Sequence, residues 1–319
     1  MVNTRFGTMV TWEEEPNSHG HQIPLSVSPW HFFLRDEQIH VIEAEMQDFN
    51  TQKMPTGIPS LDPIFEGGVP KGSVILLLGD LGAGSYEFTY SSIVNTLSLM
   101  KGAATELTGP HEIRYITFTR LKEEVCREIT TSLHIDGLDA LVETIHFDDL
   151  SELYFDNSVV PDEWYSHSDV ITRLQKRSNR EGILLRLANV INSVSPDSLL
   201  VIDSVTDVAT QSADPEFWQN MTGLVRGLQR VSKQRGITTY LLLSRGILNT
   251  AQEREMADIV DAVMLFKWEE STGSRRQRVM YFEKFRGVMP HLEEKDLVKF
   301  AVRISATNGF EVSNIRVVI

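Results

Sequence analysis

Ser73-Val74-Ile75-Leu76-Leu77-Leu78-Gly79-Asp80-Leu81-Gly82-Ala83-Gly84-Ser85-Tyr86 is the stretch from which the fold is read. Ser73 to Leu78 is a short, continuous apolar run. That is the pattern of a strand buried on both faces. A glycine-rich loop follows, from Gly79 to Gly84. Tyr86, Tyr90, Ile93, Leu97 and Met100 then recur at helical spacing. Strand, glycine loop and helix together make a cradle for phosphate. Loop N–H groups face inward, and the helix N-terminus adds partial positive charge.

The same alternation runs outward from this stretch. Ile113 to Phe118 reads as a strand, and Leu121, Val125, Ile129 and Leu133 mark one face of a helix. Ile145-His146-Phe147 is a third short strand, and residues 148–170, acidic and aromatic, read as a loop insertion. Gly182 to Val194 is helical, and Ser198 to Ile202 is a buried strand ending in Asp203. Phe217, Met221, Leu224, Leu228 and Val231 form the core face of a long helix, with Arg226, Arg230 and Lys233 on its other side. Thr238 to Leu243 is the next strand. Ala262 to Phe266, Arg278 to Phe282, Leu297 to Ile304 and Ile315 to Ile319 then follow without room for long helices. The first two-thirds therefore reads as parallel βαβα and the tail as antiparallel hairpins.

Composition narrows the classes. The chain has 319 residues, 30 Lys+Arg against 44 Asp+Glu, and a net charge of −14. Hydrophobic residues make up 41% and charged residues 23%, ample for a core and too ordinary for a disordered chain. No apolar run of about 18 residues occurs, so no membrane span is expected. One cysteine, Cys126, cannot build a disulfide framework and points to a reducing, cytoplasmic setting. Residues 1–51 lack sustained periodicity and signal-peptide features, and read as an N-terminal extension to a domain spanning 52–319. Met46 is an alternative start within that extension.

The loop chemistry departs from the full phosphate-binding signature, G-x-x-x-x-G-K-[ST]. Ser85 stands at the lysine position and Tyr86 at the magnesium-ligating hydroxyl position. A charge-assisted contact from that lysine contributes about 1.5–3 kcal/mol, which serine cannot supply. Tyr86 carries its hydroxyl several ångströms further out, and Asp80 adds negative charge to a loop meant for anions. The residues leave two readings open: weakened nucleotide binding, or a retained structural turn. Asp203, at the end of a buried strand, is where a phosphate-loop enzyme holds Mg²⁺.

Thr56-Gly57-Ile58-Pro59-Ser60-Leu61-Asp62 with Gly67-Gly68-Val69-Pro70-Lys71-Gly72-Ser73 resembles the opening motif of the RecA superfamily in its KaiC-like branch. Gly82 to Phe88 is similar to archaeal transducer-like (HTR-like) members, in which the lysine is likewise missing. The resemblance implies a RecA-like P-loop NTPase fold, α/β, with a mainly parallel central sheet flanked by helices and antiparallel C-terminal strands. It places a nucleotide, ATP or ADP, against Gly79, Asp80, Gly82, Ala83, Gly84, Ser85 and Tyr86. Asp203 becomes the Walker B acid, and Ser244 and Arg245 the sensor-like turn. Lys284 and Arg286, in Glu283-Lys284-Phe285-Arg286-Gly287, match a K-x-R element that reaches a neighbouring subunit's nucleotide. A homo-oligomer, hexamer-like, follows as an expectation. The family's glutamate pair, one of which activates water, should follow the strand Tyr115 to Phe118. Thr119 and Arg120 stand there instead, and Glu123 and Glu124 come a turn later, directed elsewhere.

With lysine, metal hydroxyl and activating acid altered, Mg²⁺ binding is doubtful, with Asp203 the one position left for it. The reading is a non-hydrolysing or weakly nucleotide-binding regulatory or assembly module with a protein partner still to be identified. Two alternatives stay open: an ATPase with relocated groups, and a nucleotide-independent partner-binding or DNA-associated protein. Nucleic acid is disfavoured by the net charge of −14. It has two basic clusters in its favour, Arg173/Lys176/Arg177/Arg180 and Arg275/Arg276/Arg278. No metal-ligand spacing occurs beyond His19-x-His21, and no nucleophile motif is present. Ser85→Lys with Tyr86→Thr is expected to strengthen ATP affinity, as read by calorimetry beside the wild type.

Overall fold

The apolar runs become the inner strands of one large sheet. The computed structural model describes residues 52–102, 109–156, 158–166, 182–271 and 275–315. Its strands are β1 Lys53–Met54, β2 Val69–Pro70, β3 Val74–Gly79, β4 Ile113–Thr117, β5 His146–Asp149, β6 Leu199–Asp203 and β7 Thr238–Ser244. β8 Ala262–Ser271, β9 Arg275–Phe285, β10 Lys299–Ser305 and β11 Gly309–Asn314 complete them. Helices are α1 Ser85–Gly102, α2 Lys122–Ser132, α3 Leu138–Val142, α4 Ser151–Phe155 and α5 Ile183–Ser193. They continue with α6 Val205–Thr210, α7 Pro215–Arg235, α8 Thr250–Ile259 and α9 Met289–Glu294.

β1 and β2 form a small antiparallel pair. The main sheet has nine strands in the order β11-β10-β9-β8-β3-β7-β6-β4-β5. β3 pairs in parallel with both β7 and β8, and β6 with β7 and β4. β8 to β11 are joined by antiparallel pairing. Alternate residues serve two cores. Ile75, Leu77, Val201, Leu242 and Met264 pack with α1 on one face. Val74, Leu76, Leu78, Leu200, Ile202 and Leu241 pack with α5 and α7 on the other. This double coverage is why these strands read as unbroken apolar runs.

The opening motif is a clamp on α1. Asp62 Oδ1 accepts from the Thr56 N–H at 2.7 Å and the Thr56 hydroxyl at 2.6 Å, and Oδ2 accepts from the Gly57 N–H at 3.1 Å. Asn95 Nδ2 donates to the Gly57 carbonyl at 2.7 Å, and the Ser92 hydroxyl donates to that of Thr56. Gly68, at φ 138°, could carry no side chain, because a Cβ would stand 2.1 Å from the Met54 carbonyl oxygen.

β11, Gly309–Asn314, is a strand that the sequence pattern did not mark, and the strand expected at Ile315 to Ile319 lies, apart from Ile315, outside the described residues. The hairpin turns at Gly309, φ 69°, where a Cβ would press within 2.5 Å of Ser91 Oγ. Along the free edge of β11, the Phe310 N–H donates to Ser91 Oγ and the Val312 N–H to Ser60 Oγ, both at 2.9 Å. These hydroxyls occupy donors that would otherwise invite another strand. The 148–170 insertion contains the short helix α4 and a 3₁₀ turn at Asp162–Trp164. The extension, with His19 and His21, and the cluster Arg173/Lys176/Arg177/Arg180 lie outside the described residues.

Asp62→Ala removes an acceptor that three donors share, leaving buried N–H groups unpaired. A loss of about 2–4 kcal/mol is expected in urea unfolding, with the slope unchanged.

Candidate functional site

β3, β7, β6 and β4 are neighbours, and their carboxyl ends bring Gly79, Ser244, Asp203 and Thr117 to one edge of the sheet. In open parallel sheets that edge is where ligands bind. Asp203 shares the face of Val201, toward α1, and it is only 1% exposed. An isolated carboxylate there would be costly, so its partners decide what the site can do.

Both of its oxygens are taken. The Tyr86 hydroxyl, from the first turn of α1, donates to Oδ1 at 2.9 Å. The Tyr115 hydroxyl, from β4, donates to Oδ2 at 2.5 Å, and Arg120 Nη1 reaches the same oxygen at 3.2 Å. Arg120 is delivered by a local turn. Thr117 Oγ1 accepts the Arg120 N–H at 3.1 Å and donates to its carbonyl at 2.9 Å. Thr117 lies directly beside Asp203 in the β4–β6 register, so the turn sets the guanidinium at the acid.

Arg120 is held from behind as well. Nη1 also donates to the Tyr90 hydroxyl at 2.9 Å, Nη2 pairs with Glu128, and Glu124 lies 3.9 Å away. The Tyr90 hydroxyl in turn donates to Glu128 at 2.7 Å. The guanidinium sits 5.5 Å from the Tyr86 ring centroid. Burial pushes the Asp203 carboxyl upward, opposed by the Tyr115 hydrogen bond, Arg120 and Tyr86. Burial also lowers Arg120, but Tyr90, Glu128 and Asp203 outweigh it and hold the guanidinium charged. Burial raises Glu128, yet Tyr90 and Arg120 bring it below its usual value. Tyr86, Tyr90 and Tyr115 all move upward, chiefly by burial, and stay neutral donors.

The glycine loop keeps a cradle shape. Gly82 and Gly84 have φ of 69° and 116°, and the Ala83 N–H closes a turn onto the Asp80 carbonyl at 3.0 Å. The loop is braced from outside. Trp268 Nε1 donates to the Leu81 carbonyl at 3.0 Å and Arg278 Nε to that of Gly82 at 2.9 Å. Arg276 and Arg278 stack on Trp268 at 4.9 and 4.5 Å. Arg245 pairs with Asp80 at 3.2 Å, offsetting the negative charge in the loop. Ser85 lies against the strand end, since a Cβ on Gly79 would stand 2.8 Å from its Oγ.

The structure thus gathers Gly79, Asp80, Gly82, Ala83, Gly84, Ser85, Tyr86, Asp203, Ser244 and Arg245 at one edge. Lys284 and Arg286 are engaged elsewhere within the same chain. Lys284 Nζ donates to the carbonyls of Ala257 and Asp258 at 2.8 and 2.6 Å, and Arg286 Nη2 to that of Asp258 at 2.6 Å, capping α8. Sequence reasoning treated Arg120 only as a missing acid, and passed over Tyr115, Tyr90 and Glu128. It set the Tyr86 hydroxyl too far out for the magnesium position, and that hydroxyl bonds the acid itself. The available signal was a cation standing where the resemblance called for a carboxylate.

The site fails the test for Mg²⁺. A hard cation needs free oxygen ligands, whereas the Asp203 oxygens already accept from three side chains, one of them cationic. Among the described residues no cluster of His, Cys, Asp and Glu offers another metal site.

No family model matches the chain, and no curated protein matches it. Among solved structures, a KaiC-like protein from the hyperthermophilic archaeon Pyrococcus horikoshii OT3 matches with a TM-score of 0.52 at 20% identity, over 82% of this chain and 98% of that one. The fold is the KaiC-like RecA-type fold. No described helix is long and apolar enough to cross a membrane.

Glu128, held low, contributes stability above about pH 4.5 that is lost as pH falls through its folded value. Asp203, displaced upward, pulls the other way. Glu128→Gln is therefore expected to be less stable than the wild type near neutrality, with the gap closing below about pH 4 in urea titrations.

Proposed function

We propose that this chain is a RecA-fold module that does not hydrolyse ATP and serves in regulation or assembly. The observation that carries the reading is the closure of Asp203 by Tyr86, Tyr115 and Arg120. Phosphoryl transfer in this fold needs a metal at that acid and a group to orient water. Here the acid is spoken for, and the place of the water-orienting carboxylate belongs to the arginine that occupies it.

A nucleotide fits better than a metal. The cradle retains the positive-φ glycines and leads into the first turn of α1, the kind of place where backbone N–H groups receive phosphate. What it lacks is a lysine, so metal-free binding of modest affinity is the reading supported. Assembly with further copies is part of the same proposal, on the resemblance of residues 56–73 to KaiC-like sequences. Lys284 and Arg286 would reach a neighbour's site only by leaving the α8 carbonyls they now cap.

The purified chain with ATP and Mg²⁺ is expected to release no phosphate above background. Turnover near about 1 per second would overturn the reading. Calorimetry with ATP in excess chelator is expected to give the same weak affinity as with Mg²⁺.

A further inference from the structure

Two arginines of the basic cluster on β9 carry more charge than the brace of the glycine loop uses. Trp268 packs in the same core as Phe266 and Met280, beside α1. Side chains alternate along a strand, so Arg276 and Arg278 share that face with Met280. Arg278 stands opposite Trp268, and Arg276 stands opposite Glu270. Both guanidiniums stack on the indole, Arg278 at 4.5 Å and Arg276 at 4.9 Å. Stacking fixes them while leaving their N–H donors open. Arg278 spends only Nε, on the Gly82 carbonyl, and neither arginine forms an ion pair with a described residue. Trp268 Nε1 bonds the Leu81 carbonyl at 3.0 Å, which sets Leu81 next to them, and Leu81 is 89% exposed.

We propose that Leu81, Trp268, Arg276 and Arg278 form a docking surface for a short acidic segment of a partner protein. Carboxylates pair with the two guanidiniums, and an apolar side chain covers Leu81. The inference gives the regulatory reading above a partner, and it stands or falls separately from ATP hydrolysis. Three properties select this occupant. Arginine and tryptophan are the side chains that anchor protein interfaces, and a planar guanidinium takes a carboxylate through two parallel bonds. The chain carries −14 overall, so an acidic segment is repelled by the molecule as a whole and drawn to a local basic patch. A long polyanion such as nucleic acid fits less well, because it would run past Glu270, exposed opposite Arg276, onto an acidic surface. The same Trp268 and Arg278 hold the Leu81 and Gly82 carbonyls, so a docked segment also steadies the glycine loop.

The test uses the full chain and a short fluorescein-labelled peptide of glutamates around one leucine. Anisotropy reads affinity, and amide hydrogen exchange locates the contact. A Kd of about 100 μM or tighter is expected, weakening as salt rises. Exchange is expected to slow at Leu81 to Gly84. Arg276→Glu and Leu81→Ser, both at exposed positions, should keep the wild-type melting temperature and bind at least about tenfold more weakly. The same peptide with lysines for glutamates should not bind. A wild-type Kd weaker than expected, wild-type affinity in either variant, or protection confined to other segments would overturn the proposal. So would a single-stranded oligonucleotide that binds as tightly as the peptide, or a change in oligomer mass on Arg276→Glu, since the occupant would then be nucleic acid or a second copy. None of these results bears on phosphate release from ATP.

Discussion

A carboxylate buried at the end of a central strand constrains everything around it. Asp203 sits almost wholly out of water, and burial alone would push it toward the neutral acid. The protein supplies two tyrosine hydroxyls and an arginine, each from a different position around the edge. Tyr86 comes from the helix after the glycine loop, Tyr115 from the neighbouring strand, and Arg120 from the turn beyond it. One acid thereby ties α1 to β4 and β6.

The second constraint is the bracing of the glycine loop. Trp268 and Arg278 of the β8–β9 hairpin hold the carbonyls of Leu81 and Gly82, and Arg245 answers Asp80. Without these contacts the loop would present the Asp80 carboxylate and an unbraced turn to solvent. The antiparallel tail is thus a buttress for the site as well as an extension of the sheet. The β10–β11 hairpin contributes too, since Phe310 and Ile304 lie against Gly84.

Much of the fold was legible before any coordinates. Continuous apolar runs such as Leu199 to Ile202 mean strands covered on both faces, and helical spacing from Tyr86 to Met100 means a helix laid on one of them. The opening motif was read from its residues, and its structural basis is the Asp62 clamp. The strand Gly309–Asn314 was not marked. Gly309 and the hydroxyls of Ser91 and Ser60 set it, and neither acts through local periodicity.

By itself the sequence determined the α/β alternation, the glycine cradle, and the absence of lysine and of the expected acid after β4. Those are properties of residue type and spacing, which act locally. Tertiary structure decided what replaces the missing groups. Arg120 meets Asp203 because two strands far apart in sequence are adjacent in the sheet, with Thr117 and Asp203 in register. Lys284 and Arg286 cap a helix because β9 runs beside the end of α8. An ion pair between distant residues is a consequence of strand order, and no pattern along the chain encodes it.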